Sequence, residues 1–462
     1  MKKFFKNYNK EMILLIWSLA WPTMLEQPMQ TAVQYIDTAM VGTLGTQATA
    51  AVGATSTVNW LVSSTVMALG IGFLAYIAKA FGAQDKEAAK KASAQALLCV
   101  LVMGTCLTVI TTGLSPYVPV WMQVDPDIQS ISALYFFILY APMLPRTASM
   151  IFGTVLRAAG DTKTPMKLGV LMNLLNVVLN FLFIYPTREV TLFNMTFTVF
   201  GTGWGVAGAA IASATAFTVG GILITISVYR HPLVTFKGYS LKPDMTILRP
   251  CLKVAFPNML QRFGTSLGYV VFAAMINSIG EVATAAHTIA NTVESAFYIP
   301  GYGMQSAAAT LAGNAYGAKD NEKMNSLAQM FIPIEIALMT LSGAALFVLA
   351  PSLMSIFSTS QDVIHLGSTV LRMVAVSEPF YGYSIIIEGF MQGVGKTKEP
   401  FFYNIVGMWL IRIVCTYICI TFFHMGLISA WACMIAHNLF LFVMFVYCHI
   451  TGKWNPLHTR SS

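Results

Sequence analysis

Charge is what this chain has least of. Charged residues fill 10% of its 462 positions, against roughly 25% in an ordinary soluble domain, while 56% are hydrophobic and the mean hydropathy is +0.66. A soluble globule of this length needs a polar shell that the composition does not supply, so the chain belongs in lipid. Patterned cysteine is missing too. Cys99, Cys106, Cys251, Cys415, Cys419, Cys433 and Cys448 form no CxxC and no mixed Cys/His spacing. Cys415 and Cys419 share a helical face, which reads as packing rather than a metal or redox pair. Enzyme signatures are also absent. There is no HExxH and no GxSxG elbow. Gly203, Gly205 and Gly208 satisfy GxGxxG, yet they open an apolar helix without the strand before and the acid after that a dinucleotide site needs, so close helix packing is the better reading. Gly395, Lys396 and Thr397 resemble the end of a phosphate loop whose first glycine is replaced by Phe390. With no ATP site and no catalytic constellation, the chain reads as a non-enzyme without cofactor, and any pumping must draw on an ion gradient.

What the chain does have is a copy of itself. From Pro22 to Pro165, adding 235 to a residue number lands on its counterpart without an insertion. WPTMLEQ (21–27) becomes FPNMLQR (256–262), FGAQD (81–85) becomes YGAKD (316–320), and GDTKTP (160–165) becomes GKTKEP (395–400). Soluble repeat arrays have periods of about 20 to 50 residues, so copies this long and apolar are duplicated membrane lobes, an architecture of secondary transporters. Hydropathy resolves twelve stretches of spanning length, from 13–38 to 426–449, including 129–152 and 367–392. The first apolar stretch runs past Pro22 and belongs to the repeat, so it does not read as a cleavable signal. The expected fold is an all-α membrane protein of twelve transmembrane helices in two parallel six-helix repeat lobes. Residues 1–228 form the first lobe, the polar segment 229–249 a cytoplasmic linker, and 250–462 the second lobe.

Positive charge sets the orientation. Lys2, Lys3, Lys6 and Lys10 precede the first span, Lys79, Lys86, Lys90 and Lys91 lie between the second and third, and Arg157, Lys163 and Lys167 between the fourth and fifth. Arg230, Lys237, Lys242, Arg249 and Lys253 mark the linker, and Lys319, Lys323, Lys396, Lys398, Lys453 and Arg460 the later exits on that side. The opposite loops hold Arg188 as their one clear cation. The basic side is cytoplasmic, which puts both termini in the cytoplasm of a multi-pass plasma (inner) membrane protein. Six crossings per lobe make the repeats parallel, and the net charge of +8 reports topology rather than nucleic-acid binding.

Positions where the copies match build the fold, and positions where they differ are free for other work. Pro22 and Pro257 match, and each frees a backbone carbonyl that lets its helix bend. Asp37 does not match; its counterpart is Phe272, while Asn176 faces Ile411 and Asn180 faces Cys415. An ionisable group in a spanning helix costs about 2.5 to 3.5 kcal/mol on insertion scales and is a functional candidate by default. For Asp37 the plainer alternative is a snorkelling carboxylate near the outer end of its helix. Asn173, Asn176 and Asn180 form one stripe, whose plainer role is interhelical hydrogen bonding. One carboxylate and two amide carbonyls at similar depth are hard oxygen ligands, suited to Na⁺ or to a shared proton.

The proline-containing first helix ending in IDTAMVG, the two 235-residue copies, AAHTIA, and the paired GDTKTP and GKTKEP loops resemble the multidrug and toxic compound extrusion (MATE) family over essentially the whole chain. The resemblance implies two six-helix bundles facing a V-shaped cavity, and export of mostly cationic, amphipathic compounds in exchange for Na⁺ or H⁺. It implies a coupling site at Asp37 and Asn176, with Asn180 following the NorM-like pattern there and Ser213 a looser match. The second lobe departs from that pattern, because Thr265 or Ser266 and Tyr381 stand where acids are expected. Its own unpaired acids are Glu294, Glu335, Glu378 and Glu388, alongside Arg262 and Arg412; Glu–Arg pairing and a substrate or proton role stand about level. Glu26, on nearly the same face as Asp37, lines the same cavity lower down in this reading, and Glu26, Glu294, Glu378 and Glu388 are the substrate-cavity candidates. His287 and His437 read as hydrogen-bonded helix residues. The 27 methionines and 30 phenylalanines suit a soft, polyspecific cavity, although most simply pack or face lipid. The resulting expectation is a monomeric antiporter acting on organic cations within membrane lipid, with no metal beyond Na⁺ at Asp37. The alternative is a lipid-headgroup or glycolipid flippase of a related fold.

Overall fold

A computed structural model describes residues 10–122, 124–192 and 195–458; Lys2, Lys3, Lys6 and Arg460 of the topology argument lie outside them. Every expected span is helical. Single helices long and apolar enough to cross a membrane are α2 (Thr46–Gly82), α3 (Lys86–Leu114), α5 (Lys163–Phe183), α6 (Gly205–Arg230), α7 (Met245–Asn277), α9 (Asn321–Phe357), α11 (Lys398–Thr421) and α12 (Leu427–Ile450). Two more spans are each broken once. α4 is Pro126–Tyr140 followed by Met143–Ala158 at 50°, and α10 is Gln361–Ala375 followed by Glu378–Gly393 at 53°. The remaining two, α1 (Lys10–Gly42) and α8 (Glu281–Gly317), have 33 and 37 residues and carry Glu26 with Asp37, and Glu294, respectively. At 1.5 Å per residue each is about 50 Å long, ample for a hydrocarbon layer of about 30 Å.

The breaks have local causes. Pro142 precedes the second half of α4, and Pro379 falls in the first turn of the second half of α10. Neither proline has an N–H to continue the preceding helix, and both are tolerated where a helix begins. α11 instead widens into a π-helical segment over Gly407–Val414. Pro22 and Pro257 lie inside continuous helices. Between α5 and α6 the chain adds an antiparallel hairpin, β1 (Pro186–Leu192) and β2 (Met195–Thr202), that hydropathy alone did not foresee. It leads into α6 through Gly203 and Gly205 at φ +68° and +57°, and the hydrogen of Gly208 faces the Phe183 carbonyl, where a Cβ would come within 2.3 Å.

The repeated motifs turn out to be turn and crossing chemistry. Gln84 and Lys319 take the same left-handed conformation (φ 59° and 56°), as do Gly160 and Gly395 (φ 84° and 81°). Asp320 caps α9, accepting from Lys323 N at 2.8 Å. Gly82 of FGAQD and Gly317 of YGAKD meet across the ends of α2 and α8. A Cβ on Gly82 would lie 1.9 Å from Asn314 O, and one on Gly317 would lie 1.9 Å from Lys79 O. Lys79 and Asn314 are themselves counterparts under the 235-residue offset, so this crossing is a symmetric contact made by one motif with its own copy.

Two compact units divide the chain, and they cut across the linear partition into 1–228, 229–249 and 250–462. One unit holds the residues up to Gln27, Leu74–Asp85 and everything from Arg249; the other holds Pro28–Phe73 and Lys86–Leu248. Thus α1 changes unit at 27/28 and α2 at 73/74. The first unit is built on two apolar cores, one around Ile16, Leu311, Phe331, Phe390 and Phe445, the other around Phe272, Leu346, Leu371 and Trp431. In the second unit, Val41 of α1 packs with Ile184 and Ala209. The 229–249 segment is not a free tether. Gln95 Nε2 donates to Lys242 O at 2.9 Å while its Oε1 accepts from Asp244 N at 3.0 Å, and Tyr239 donates to Glu87 at 2.8 Å. Asp244 in turn accepts from the Thr246 hydroxyl and amide, which holds its carboxyl below the ordinary range.

Candidate functional site

In the second unit the C-terminal part of α1 brings Asp37 against α5. Spacing of three and four residues puts Asn173, Asn176 and Asn180 on one face, and all three are buried, Asn180 completely. The Asn180 amide donates to Asp37 Oδ1. The Asn176 amide has two orientations: in one its nitrogen donates to Ser213 at 3.0 Å and its oxygen is 3.4 Å from Asn180 Nδ2, and the other faces Asp37. In it the nitrogen lies 2.7 and 3.1 Å from the two Asp37 oxygens, and the oxygen accepts from the Ser213 hydroxyl of α6 at 3.0 Å. Asp37, Asn176, Asn180 and Ser213, from three helices, therefore form a single hydrogen-bonded cluster. Asn180 Oδ1 is buried and without a partner among the described residues, an acceptor beside a carboxylate.

In the same unit lies a residue that the reading of the sequence overlooked. Arg146, in the second half of α4, is buried at 6% exposure. Its Nη2 donates to Asn59 Oδ1 at 2.7 Å and lies 2.9 Å from Ser63 Oγ, both on α2, and Tyr140 also donates to Asn59 at 3.2 Å. The signal was present: Arg146 is a charge inside a span, and its counterpart is the uncharged Tyr381.

The first unit has a carboxylate–amide cluster of its own, at positions unrelated by the repeat. Glu388 Oε1 accepts from Gln261 Nε2 at 2.8 Å and Gln392 Nε2 at 3.1 Å, and its Oε2 is 3.5 Å from Asn404 Nδ2. The second copy thus has a polar cluster of its own. Arg262 turns to Asn258, at 3.0 Å. Arg412 sits over the rings of Tyr269 and Phe272, within electrostatic reach of Glu294, which in turn reaches Glu378. No ion pair joins Glu294, Glu335, Glu378 or Glu388 to either arginine among the described residues, so simple Glu–Arg pairing does not account for them. Glu26 is buried in the first unit, so it is not grouped with Asp37 despite sharing a helix. His287 accepts from Trp431 at 3.2 Å, whereas both nitrogens of His437 are buried without partners among the described residues, its ring against Gly407.

A family model described as MatE matches residues 22–182 and again 257–418. The two matches start 235 residues apart, the offset that aligns the copies. The probable multidrug resistance protein NorM of Thermotoga maritima is 26% identical over 460 residues, 97% of this chain and 96% of its own length. The probable multidrug resistance protein YoeA of Bacillus subtilis is 23% identical over 89% of this chain and 87% of its own. Among solved structures, a MATE in complex with MaL6 matches with a TM-score of 0.88 at 24% identity, over 96% of this chain and 97% of that one. A MOP superfamily transporter from Pyrococcus furiosus Vc1 matches with a TM-score of 0.86 at 24% identity, over 96% of each. These structural likenesses establish the fold of twelve helices in two lobes.

Proposed function

The chain belongs to the MatE family, and we propose that it is a cation-coupled exporter of amphipathic, mostly cationic drugs and toxic compounds, working by alternating access. Relatives named as multidrug resistance proteins support the efflux part of this reading. The observation that carries the coupling part is the contact of Asn176 and Asn180 with Asp37, with Ser213 bonded in turn to Asn176. Asn180, and Asn176 in the orientation that faces Asp37, present amide N–H donors to that carboxylate. A proton or Na⁺ arriving at Asp37 competes with those donors, so loading the ion and loosening α1 from α5 become one event. A hydrogen bond to a charged group contributes about 1.5 to 3 kcal/mol, against about 0.5 to 1.5 for a neutral one, so neutralising Asp37 weakens each contact by about 1 kcal/mol.

In this cycle Asp37 takes a cation from the outside, α1 rearranges with the freed carbonyls near Pro22 permitting a bend, and the cavity releases its drug outward. Return to the inward-facing state delivers the cation to the cytoplasm. Each charge moved contributes about 2.3 kcal/mol per 100 mV, enough for one or two ions to sustain a useful gradient. Glu26, Glu294, Glu378 and Glu388 are the candidates for meeting the drug's positive charge. We place the protein in the plasma membrane as a monomer with both termini in the cytoplasm. No observation favours the headgroup-flippase alternative.

The deciding experiment is efflux of a fluorescent organic cation from proteoliposomes, driven in separate runs by a Na⁺ gradient and by a pH gradient. Efflux under one gradient and not the other identifies the coupling ion. Efflux under neither, from protein that binds the dye, removes ion coupling.

A further inference from the structure

We propose that Arg146 is an anion-recognition residue, and that the ligand it takes is the carboxylate of an amphipathic, zwitterionic substrate. The inference deepens the export reading and rests on it. It starts from an uncompensated charge. A guanidinium buried in a spanning helix is expected to face an acid, because removing it from water unpaired costs several kcal/mol. Arg146 has no such acid. Its electrostatic neighbours are Tyr135 and Tyr140, and no ion pair to it occurs among the described residues. The side chain opposite, Asn59, occupies the position where the second copy carries Glu294. Where one copy has a carboxylate, this one has an amide, and no carboxylate pairs with Arg146 among the described residues.

The guanidinium is oriented by its neighbours but only partly satisfied. Nη2 is engaged by Asn59 and Ser63 of α2, which fixes the group's orientation. Nε and Nη1 are buried without acceptors among the described residues, and leaving a buried charged donor unsatisfied is costly. The ring of Phe217 on α6 lies 4.6 Å from the guanidinium carbon and that of Tyr140 lies 5.7 Å from it. A charge held by one nitrogen, walled by aromatic rings and left with free N–H groups is suited to an oxyanion attached to an apolar body. Tyr135 lies in the field of Arg146. The export reading already gives the substrate a positive charge, and Arg146 adds a group for a negative one, which matches a ligand carrying both charges.

The test uses a rhodamine dye with its free carboxylate and the same dye as its methyl ester, each titrated in detergent by fluorescence anisotropy. Arg146→Gln should weaken binding of the acid about tenfold and leave the ester within about twofold, as expected for loss of one charge-assisted contact. Arg146→Lys, which keeps the charge and loses the planar fork, should retain part of the acid's binding. Ester binding reports that both variants are folded. Equal losses for acid and ester, or no loss for either, would assign Arg146 to holding α4 against α2 and overturn the proposal. If neither dye binds the unsubstituted protein, the export reading fails first and the inference falls with it.

Discussion

Alanine at Gly317 tests whether the repeated motif holds the two copies together as the structure describes. The added Cβ would lie 1.9 Å from Lys79 O and 2.8 Å from its carbonyl carbon, and a neighbouring position, Gly313, already meets Ala78 closely enough that a Cβ there would lie 2.7 Å away. Ordinary carbon contacts begin near 3.5 Å, so the ends of α2 and α8 must separate by more than about 1 Å. Carbonyls of a helix backbone cannot turn aside as a side-chain tip can. Overpacking typically costs about 1 to 3 kcal/mol, and a clash with rigid backbone belongs at the upper end. Gly82→Ala makes the mirror clash, 1.9 Å from Asn314 O. Each single variant is expected to lose about 3 kcal/mol by denaturant titration in mixed micelles. The double variant should lose clearly less than twice that, because helices already forced apart by one methyl accommodate the second. A Gly317→Ala protein within about 0.5 kcal/mol of the parent would refute the close crossing, and strict additivity would refute a shared one.

Two further outcomes follow from the loops and the glutamates. Single cysteines placed in the 81–90 and 316–323 loops of a cysteine-free variant should both resist an impermeant external thiol reagent; labelling of one loop alone would mean that the lobes are inverted. Replacing Glu294, Glu378 and Glu388 one at a time with Gln should change which compounds are exported while ion-driven conformational change persists. Unaltered export and unaltered stability in all three would remove them from the cavity.

The spans and the duplication were legible because both are carried by many residues at once, and a window of about twenty apolar positions survives any local irregularity. Local irregularities were hidden for the same reason. The breaks in α4 and α10 fall inside uninterrupted hydropathy, and only Pro142 and Pro379 hint at them. The π-helical stretch of α11 has no comparable marker. β2, reading MTFTVFGT, does show the alternating β-branched and aromatic pattern of a strand. The Asp37 cluster was readable because Asn176 and Asn180 share a helical face and lack counterparts in the second copy. Arg146 was equally readable by the rule applied to Asp37, since its counterpart is Tyr381. The Glu388 cluster was less so: Gln392 stands four residues on along α10, but Gln261 and Asn404 come from two other helices at no spacing that a sequence displays.

The central claim, that one carboxylate couples the ion to export, is tested most directly at Asp37. Asp37→Asn keeps the shape and removes the negative charge, so gradient-driven efflux from proteoliposomes should vanish while dye binding in detergent survives. Asn180→Ala, which removes a neutral partner and leaves the charge, should slow efflux without abolishing it. Efflux at the parent rate from Asp37→Asn, at matched protein density and under the same gradient, would contradict the account and move the coupling site to the glutamates of the second copy.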